Sequence, residues 1–296
     1  MKKFNLKAIS ATVVLSSAMF LTACGGGATG VAQAAEPSGF DTNMPIAVVS
    51  REDGSGTRGA FIELLGIERD GIDHTFVEAD IQNGTSAVIT TVAGNTYAMG
   101  YISLGSLNDT VSAVKIDGVA ATPENVQSGT YPLFRAFYFA VGDNLTDAAQ
   151  DFLNFVISAE GQEIVASRGY ITVDSDAPAF VSNGATGTVV VTGSTSVFPI
   201  VELLGETFGE LTSINVEVHS TGSSAGITAA IDGTADLGMT SRALREAELA
   251  QVNAVEIAYD GLAVIVNNNN PIEVVSAEEV RLIFEGELFN WSNIFN

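Results

Sequence analysis

Three stretches of this 296-residue chain set hydroxyls and glycines directly ahead of a helical pattern. The first is Ser50-Arg51-Glu52-Asp53-Gly54-Ser55-Gly56-Thr57-Arg58-Gly59, the second Gly193-Ser194-Thr195-Ser196-Val197-Phe198-Pro199, and the third Ser220-Thr221-Gly222-Ser223-Ser224-Ala225-Gly226. A helix start exposes amide N–H groups that have no intrahelical partner, together with the positive end of the helix dipole. Glycines let the backbone come close, and Ser/Thr add hydroxyl donors, a combination that suits an oxyanion. Any one such loop is equally an ordinary N-cap. Three in one chain, one carrying Arg51 with its fixed bidentate fork, point to helix starts that converge on a tetrahedral anion. Asp53 is expected to pair with Arg51 and hold that fork; the alternative is an Asp that caps the next helix. A fourth stretch, Gly238-Met239-Thr240-Ser241-Arg242, places Ser241 beside an expected helix start, either in the same cleft or as a plain N-cap.

Other chemistries lack their residues. No glycine loop is followed by the Lys of a nucleotide-binding phosphate loop. Gly54-Ser55-Gly56 looks superficially like a nucleophile loop, but the only imidazoles are His74 and His219, and nothing local ties either to Ser55. His219 ends the alternating run Val216-Glu217-Val218 and reads as a strand-end residue rather than a ligand contact. With one Cys and two His, neither a disulfide framework nor the usual zinc site is expected, and no metal or cofactor is implied. Binding is favoured over catalysis, and the chain is not expected to be an enzyme. Twelve Lys+Arg against 35 Asp+Glu give a net charge of −23. Such a chain is repelled by phosphate backbones, which excludes nucleic-acid partners, and the field of the whole protein does not attract an anion. Capture must therefore act at contact distance.

These loops need strands and helices to aim them. Short β-rich runs alternate with helical patterns, as in Ile46 to Val49 before Phe61 to Leu65, and Thr188 to Val191 before Ile200 to Phe208, so the fold class is α/β. Ahead of them, Lys2, Lys3 and Lys7 precede the apolar run Ala8 to Phe20, the layout of a secretory signal. The run ends in Leu21-Thr22-Ala23-Cys24, which resembles the bacterial lipobox and makes Cys24 a lipid anchor to the membrane; the alternative is an ordinary cleaved signal with an incidental Cys. Residues 1–23 would be removed, taking three cations and no acids and leaving nine against 35, a net charge of −26. Residues 24–43, rich in Gly and Ala, read as a flexible tether.

Taken together the loops resemble the extracytoplasmic phosphate-binding protein of the bacterial phosphate ABC importer. Val48 through Phe61 is close to that family's most specific motif, and the Gly193, Thr221 and Gly238 stretches look like its other ligand loops. Asp260 to Asn267, Ile283 to Glu287 with Asn290-Trp291-Ser292, and Glu160 through Ile171 support the likeness. The resemblance implies a two-lobed type II periplasmic-binding-protein fold with a ligand cleft between the lobes. The order is rotated: in the family the Gly-Ser-Thr loop comes first, and the Arg-x-Asp-Gly-Ser-Gly-Thr loop follows the Asn-Trp-Ser stretch. A circular permutation is expected, with 44–133 and 265–296 forming one lobe, 134–264 the other, and the segment after Trp291 close to Pro45; the alternative is a piece of a longer array or a domain-swapped pair.

Carried over residue by residue, the resemblance implies phosphate contacts from Arg51, Ser55, Gly56 and Thr57, with Asp53 positioning Arg51. From the other lobe it implies Thr195, Ser196, Val197 and Phe198 through hydroxyls and amides, with Ser223 and Ser241. Some members have an Asp at the Ser241 position that accepts a hydrogen bond from protonated phosphate and rejects sulfate; here Asp53 or Glu52 is expected to supply that acceptor. The implied partners are inorganic phosphate and the transmembrane subunits of an ABC permease, outside the cytoplasmic membrane. Rival readings are a phosphate sensor or scaffold uncoupled from transport, a binder of another oxyanion, and a phosphate-ester hydrolase.

Overall fold

The computed structural model describes residues 39–295. The expected signal segment and Cys24 lie outside the described residues. Runs rich in Val, Ile and aromatic residues form the strands of one mixed sheet: β1 (Ala47–Arg51), β2 (Asp80–Gln82), β3 (Ala98–Ser103), β4 (Val111–Ala113), β5 (Phe134–Val141), β6 (Gly187–Gly193), β7 (Ile214–Ser220), β8 (Leu237–Thr240) and β9 (Asn253–Asn267). Across the sheet the order is β7-β6-β8-β5-β9-β3-β1-β2, with β4 added against β9. β1 runs parallel to β2 and β3, and β6 parallel to β7 and β8. Such pairs need crossover helices, which explains the strand–loop–helix rhythm of the sequence.

β9 is the seam of the molecule. Its first part pairs antiparallel with β5, from Asn253↔Val141 to Gly261↔Phe134. Its second part pairs antiparallel with β3, from Leu262↔Ser103 to Val266↔Met99. The run Leu262-Ala263-Val264-Ile265-Val266 is wholly buried, as a strand covered on both faces must be.

The helices that matter to the cleft are α1 (Gly56–Leu64), α2 (Thr85–Gly94), α3 (Asp147–Val156), α4 (Ala159–Ser167), α5 (Phe198–Leu211) and α6 (Ser223–Ile231). α5 buries Ile200, Val201, Leu204 and Phe208, a stripe at helical spacing, and Pro199 in its first turn costs no hydrogen bond. Phe208 packs against Phe152, Phe155 and Phe180 at ring separations of 5.3, 5.4 and 5.8 Å. Each such ring contributes roughly 1.5–3 kcal/mol by leaving water.

The buried apolar side chains divide by sequence. Those from Phe40 to Leu133 and from Leu262 to Trp291 form two clusters, and those from Phe137 to Ala258 form two others, with none shared between the sets. The core changes hands where β5 begins and where β9 passes Tyr259 to Gly261. The two ends of the described chain are paired: Pro45 bridges Asn290, and the amide of Ile46 donates to Phe289 O at 2.7 Å. The tether expected through Asn43 stops earlier. Phe40 is buried, with its ring 5.1 Å from Tyr97 and 5.7 Å from Trp291, so apolar burial draws this segment into the fold.

Candidate functional site

All three Gly/Ser/Thr loops meet between the two cores. β1 ends in Arg51, and the chain turns through Gly54 at φ 81°, a value that favours glycine, before Ser55 opens α1. Ser55 Oγ accepts from the Arg58 amide at 3.3 Å, so its hydroxyl serves as the N-cap of α1. Gly56 sits against the other side of the cleft, where a methyl group would collide with the hydroxyls of Ser223 and Ser241. Thr57 Oγ1 lies 2.7 Å from Ser196 Oγ.

Arg51 is the charge of the site and is almost completely buried. Its Nε and Nη2 donate to the two carboxylate oxygens of Glu52, both at 2.7 Å, and Nη2 also donates to Thr195 Oγ1 at 3.0 Å. Its Nη1 has no hydrogen-bond partner among the described residues. A buried guanidinium donor left unmade is costly and marks the position where an acceptor belongs. Glu52 also accepts from the Gly84 amide at 3.2 Å. Burial pushes its carboxyl up, but the hydrogen bonds and charge of Arg51 and the amides of Glu52 and Gly84 outweigh that and hold it below its ordinary value, so Glu52 stays ionised.

Glu52, not Asp53, therefore holds the Arg51 fork. Asp53 has turned outward, its side chain 98% exposed, and pairs with Arg58 at 2.8 Å. The turn at Gly54 rotates it away, so Asp53 neither positions Arg51 directly nor reaches the cleft as an acceptor. Arg58 donates in turn to the carbonyl of Arg51 at 3.0 Å.

The second half supplies hydroxyls. Thr195 Oγ1 and Ser196 Oγ each lie 3.2 Å from Thr85 Oγ1. Ser194 Oγ donates to Ser241 Oγ at 2.9 Å, Ser223 Oγ lies 3.4 Å from Ser241 Oγ, and the Ser241 amide donates to Ser223 Oγ at 3.2 Å. A hydroxyl both donates and accepts, so this network can turn its hydrogens toward an entering oxyanion. Val197 is buried at the α5 start, and its amide makes only a long 3.4 Å contact to Ser194 Oγ. Phe198 departs from expectation: its amide is committed to Ser194 O at 3.0 Å, so it offers a side chain at the mouth rather than an N–H. Ser241 caps no helix; the next one begins at Glu246, and Ser241 lines the cleft from a loop after β8.

Three contributors escaped the reading of the residues. Thr85 opens α2 after Gly84 at φ 88°, adding a fourth helix start, and Asn83-Gly84-Thr85-Ser86 is written in the same style as the other loops. Ser194 braces its own loop by accepting from the Ser196 amide at 3.2 Å. Glu52, which the sequence offers only as an acceptor for the ligand, instead grips Arg51 through both carboxylate oxygens. Beside the cluster, a cavity of about 670 Å³ lined by Glu52, Gly84, Thr85, Thr195 and Phe198 forms the mouth. Neither His74 nor His219 lines it; both are exposed, and His219 is the last residue but one of β7. Among the described residues no cluster of His, Cys, Asp and Glu could hold a metal ion, and no helix is long and apolar enough to cross a membrane.

Helix starts, hydroxyls and one buried guanidinium, set between two cores joined by paired strands, define a two-lobed binding protein for small solutes. The PBP superfamily domain matches residues 34–160 and 179–295. The chain is 41% identical over 293 residues to "Phosphate-binding protein PstS 2" of Streptococcus pneumoniae, covering 97% of this chain and 98% of the relative. It is 43% identical over 257 residues to the protein of the same name from Streptococcus agalactiae, covering 84% of this chain and 87% of the relative. A crystal structure of a phosphate-binding protein of a phosphate ABC transporter from Streptococcus pneumoniae superposes with a TM-score of 0.69 at 44% identity, over 84% of this chain and 99% of that one. The chain belongs to the PBP superfamily and, within it, to the family of these PstS proteins.

Proposed function

We propose that this protein binds inorganic phosphate outside the cytoplasmic membrane and delivers it to the transmembrane subunits of an ABC permease. The observation that carries the reading is the unpartnered Nη1 of buried Arg51, set among Ser/Thr hydroxyls and four helix starts. Relatives named as phosphate-binding proteins, matched over most of their length, support the ligand. The reading assigns Arg51, Ser55, Gly56, Thr57, Thr85, Thr195, Ser196, Val197, Ser223 and Ser241 to the phosphate, and Glu52 to holding Arg51. No covalent step is needed, and the protein is not an enzyme: turnover of a phosphate ester, with or without divalent metal, would contradict this. Calorimetry with inorganic phosphate tests the binding directly. Absence of a thermal shift at millimolar phosphate would sink it, because a ligand that binds only the native state must stabilise it.

Two lobes, 44–133 with 265–296 and 134–264, close on the ligand by a hinge at β5 and β9. The division of the apolar core supports two lobes with the first crossing near residue 134 but moves the second from 264 to Tyr259–Gly261, since Leu262, Ala263 and Val264 pack with the first lobe. The pairing of Pro45 with Asn290 supports a chain whose order is permuted relative to the wider family. Cys24, after the lipobox-like run, tethers the protein to the membrane; release of a Cys24→Ala variant into the medium is the expected outcome. Glu52 is the remaining carboxylate able to favour a protonated phosphate over sulfate. Equal affinity for the two anions in a competition titration would eliminate that role.

A further inference from the structure

The two crossings between the cores carry a second buried ion pair that the binding of an anion does not use. Arg135 on β5 faces Asp260 on β9 in register, and its Nη2 and Nε donate to Asp260 Oδ2 at 3.1 and 3.3 Å. Ser103 Oγ donates to Oδ1 at 2.9 Å, and the Gly105 amide reaches it at 3.4 Å. Arg135 also lies over the Phe137 ring, 5.2 Å from its centroid. Both charges are buried. Such a pair commonly stabilises a fold no better than apolar side chains of the same size, so stability alone does not account for it.

What surrounds the pair is less complete. Three buried polar atoms near it, Arg135 Nη1, Tyr170 Oη and Ser106 Oγ, have no hydrogen-bond partner among the described residues. Tyr170 belongs to the second core yet lies directly over Gly105 of the first half, where any Cβ would collide with its ring. Ser103 Oγ, which donates to Asp260, is the hydroxyl beside Tyr170 and keeps lone pairs that could accept, but the two do not meet in hydrogen-bond geometry. The cleft in this arrangement is closed: Arg51 touches Thr195, Thr57 touches Ser196, and the Ser224 amide donates to Gly54 O at 3.1 Å. Unmade buried hydrogen bonds therefore gather at the point about which the halves turn, in the closed form.

We propose that this pivot is built to oppose closure: opening slides Tyr170 across the Gly105 turn and gives Tyr170 Oη and Arg135 Nη1 partners that the closed form denies them. The bound anion supplies the cross-cleft contacts that offset this loss, and the empty protein stays open. The inference rests on the hinge-closing reading given above. Its sign is unusual, because removing a buried hydroxyl from the pivot should strengthen binding at a site that it does not touch.

The test compares the full-length protein with its Tyr170→Phe variant by small-angle X-ray scattering without ligand and by calorimetry with inorganic phosphate. The ligand-free variant should be more compact, and its phosphate Kd about three- to tenfold tighter, the size expected of one net hydrogen bond acting through the population of the closed form. Ser106→Ala should act in the same direction more weakly and decides the matter if Tyr170→Phe does not fold. An unchanged ligand-free radius, whether affinity stays or falls, overturns the proposal and leaves the hydroxyl a packing defect. If the unaltered protein binds no phosphate, the functional reading fails, while the radius still decides the pivot.

Discussion

Two arginines in this molecule are held in nearly the same way and differ in what surrounds their partners. Arg51 and Arg135 are both buried, both grip a carboxylate through Nε and Nη2, and both leave Nη1 without a partner. The carboxylate of Glu52 reaches the rim, 22% exposed, whereas that of Asp260 is 1% exposed. At Glu52 burial pushes the carboxyl up, but Arg51 and two backbone amides outweigh it and the group lies low. At Asp260 burial prevails over Arg135 and Ser103, and the carboxyl lies high. The first pair thus favours its charge where a small anion arrives; the second carries its charge against burial where only the chain itself moves. Similar local chemistry serves recognition in one place and mechanics in the other.

The largest effect should come from breaking the pivot pair. Asp260→Ala leaves Arg135 buried and unpaired, and should lower the stability of the ligand-free protein by about 3–5 kcal/mol in urea denaturation. A loss below about 1 kcal/mol would mean that Arg135 finds another acceptor and that the two pairs are not comparable. Arg51→Ala should act on binding instead, weakening phosphate by about 2–5 kcal/mol in calorimetry, by analogy with truncating a buried partner of a charge pair. If its main effect is on unfolding, Arg51 is scaffold rather than site.

Much of the recognition region was legible in the residues because its grammar is local. A glycine for close approach, hydroxyls and a helix start occupy a few consecutive positions, so the loops that carry Ser55, Thr57, Thr195, Ser196 and Ser223 could be read without a fold, while the individual contacts came only from the family resemblance. Thr85 follows the same grammar, but the strand before it, Asp80–Gln82, is short and lacks an apolar run to announce it. Glu52 and Asp53 could not be told apart, since the turn at Gly54 decides which carboxylate faces inward. The pivot was illegible for another reason. Arg135 and Asp260 lie 125 residues apart and meet only through the antiparallel register of β5 and β9. The α/β class and the strand-to-helix rhythm came from periodicity, while the order of strands across the sheet is a tertiary fact.

A smaller effect sharpens the account of the cleft network. Thr85→Val removes a hydroxyl that joins Thr195 to Ser196 while keeping the shape of the side chain. Phosphate affinity should fall by roughly 0.5–1.5 kcal/mol in the same titration, the net worth of one hydrogen bond. No change would return α2 to the scaffold. The pH dependence should be smaller still. Because the folded Glu52 lies below its ordinary value of 4.5, its contribution to stability is fully present above that pH and is lost as the pH falls through the folded value. Melting temperatures followed from neutral pH into this acid range should therefore decline less steeply for Glu52→Gln than for the unaltered protein.

The smallest expected effect discriminates most sharply between neighbours. Asp53 lies one residue beyond Glu52, yet its carboxylate is 98% exposed and is shared with Arg58, which also pairs with Asp73 at 2.8 Å. An exposed pair of this kind contributes about 0–1 kcal/mol, and Arg58 keeps its bonds to Asp73 and to the Arg51 carbonyl without it. Asp53→Asn should therefore change phosphate affinity by less than about twofold. Calorimetry on Asp53→Asn beside Glu52→Gln decides which carboxylate orients the guanidinium in solution. A tenfold loss confined to Asp53→Asn would show that Arg51 exchanges partners when the anion binds, and the likeness drawn between the Arg51 and Arg135 pairs would then fail in the complex.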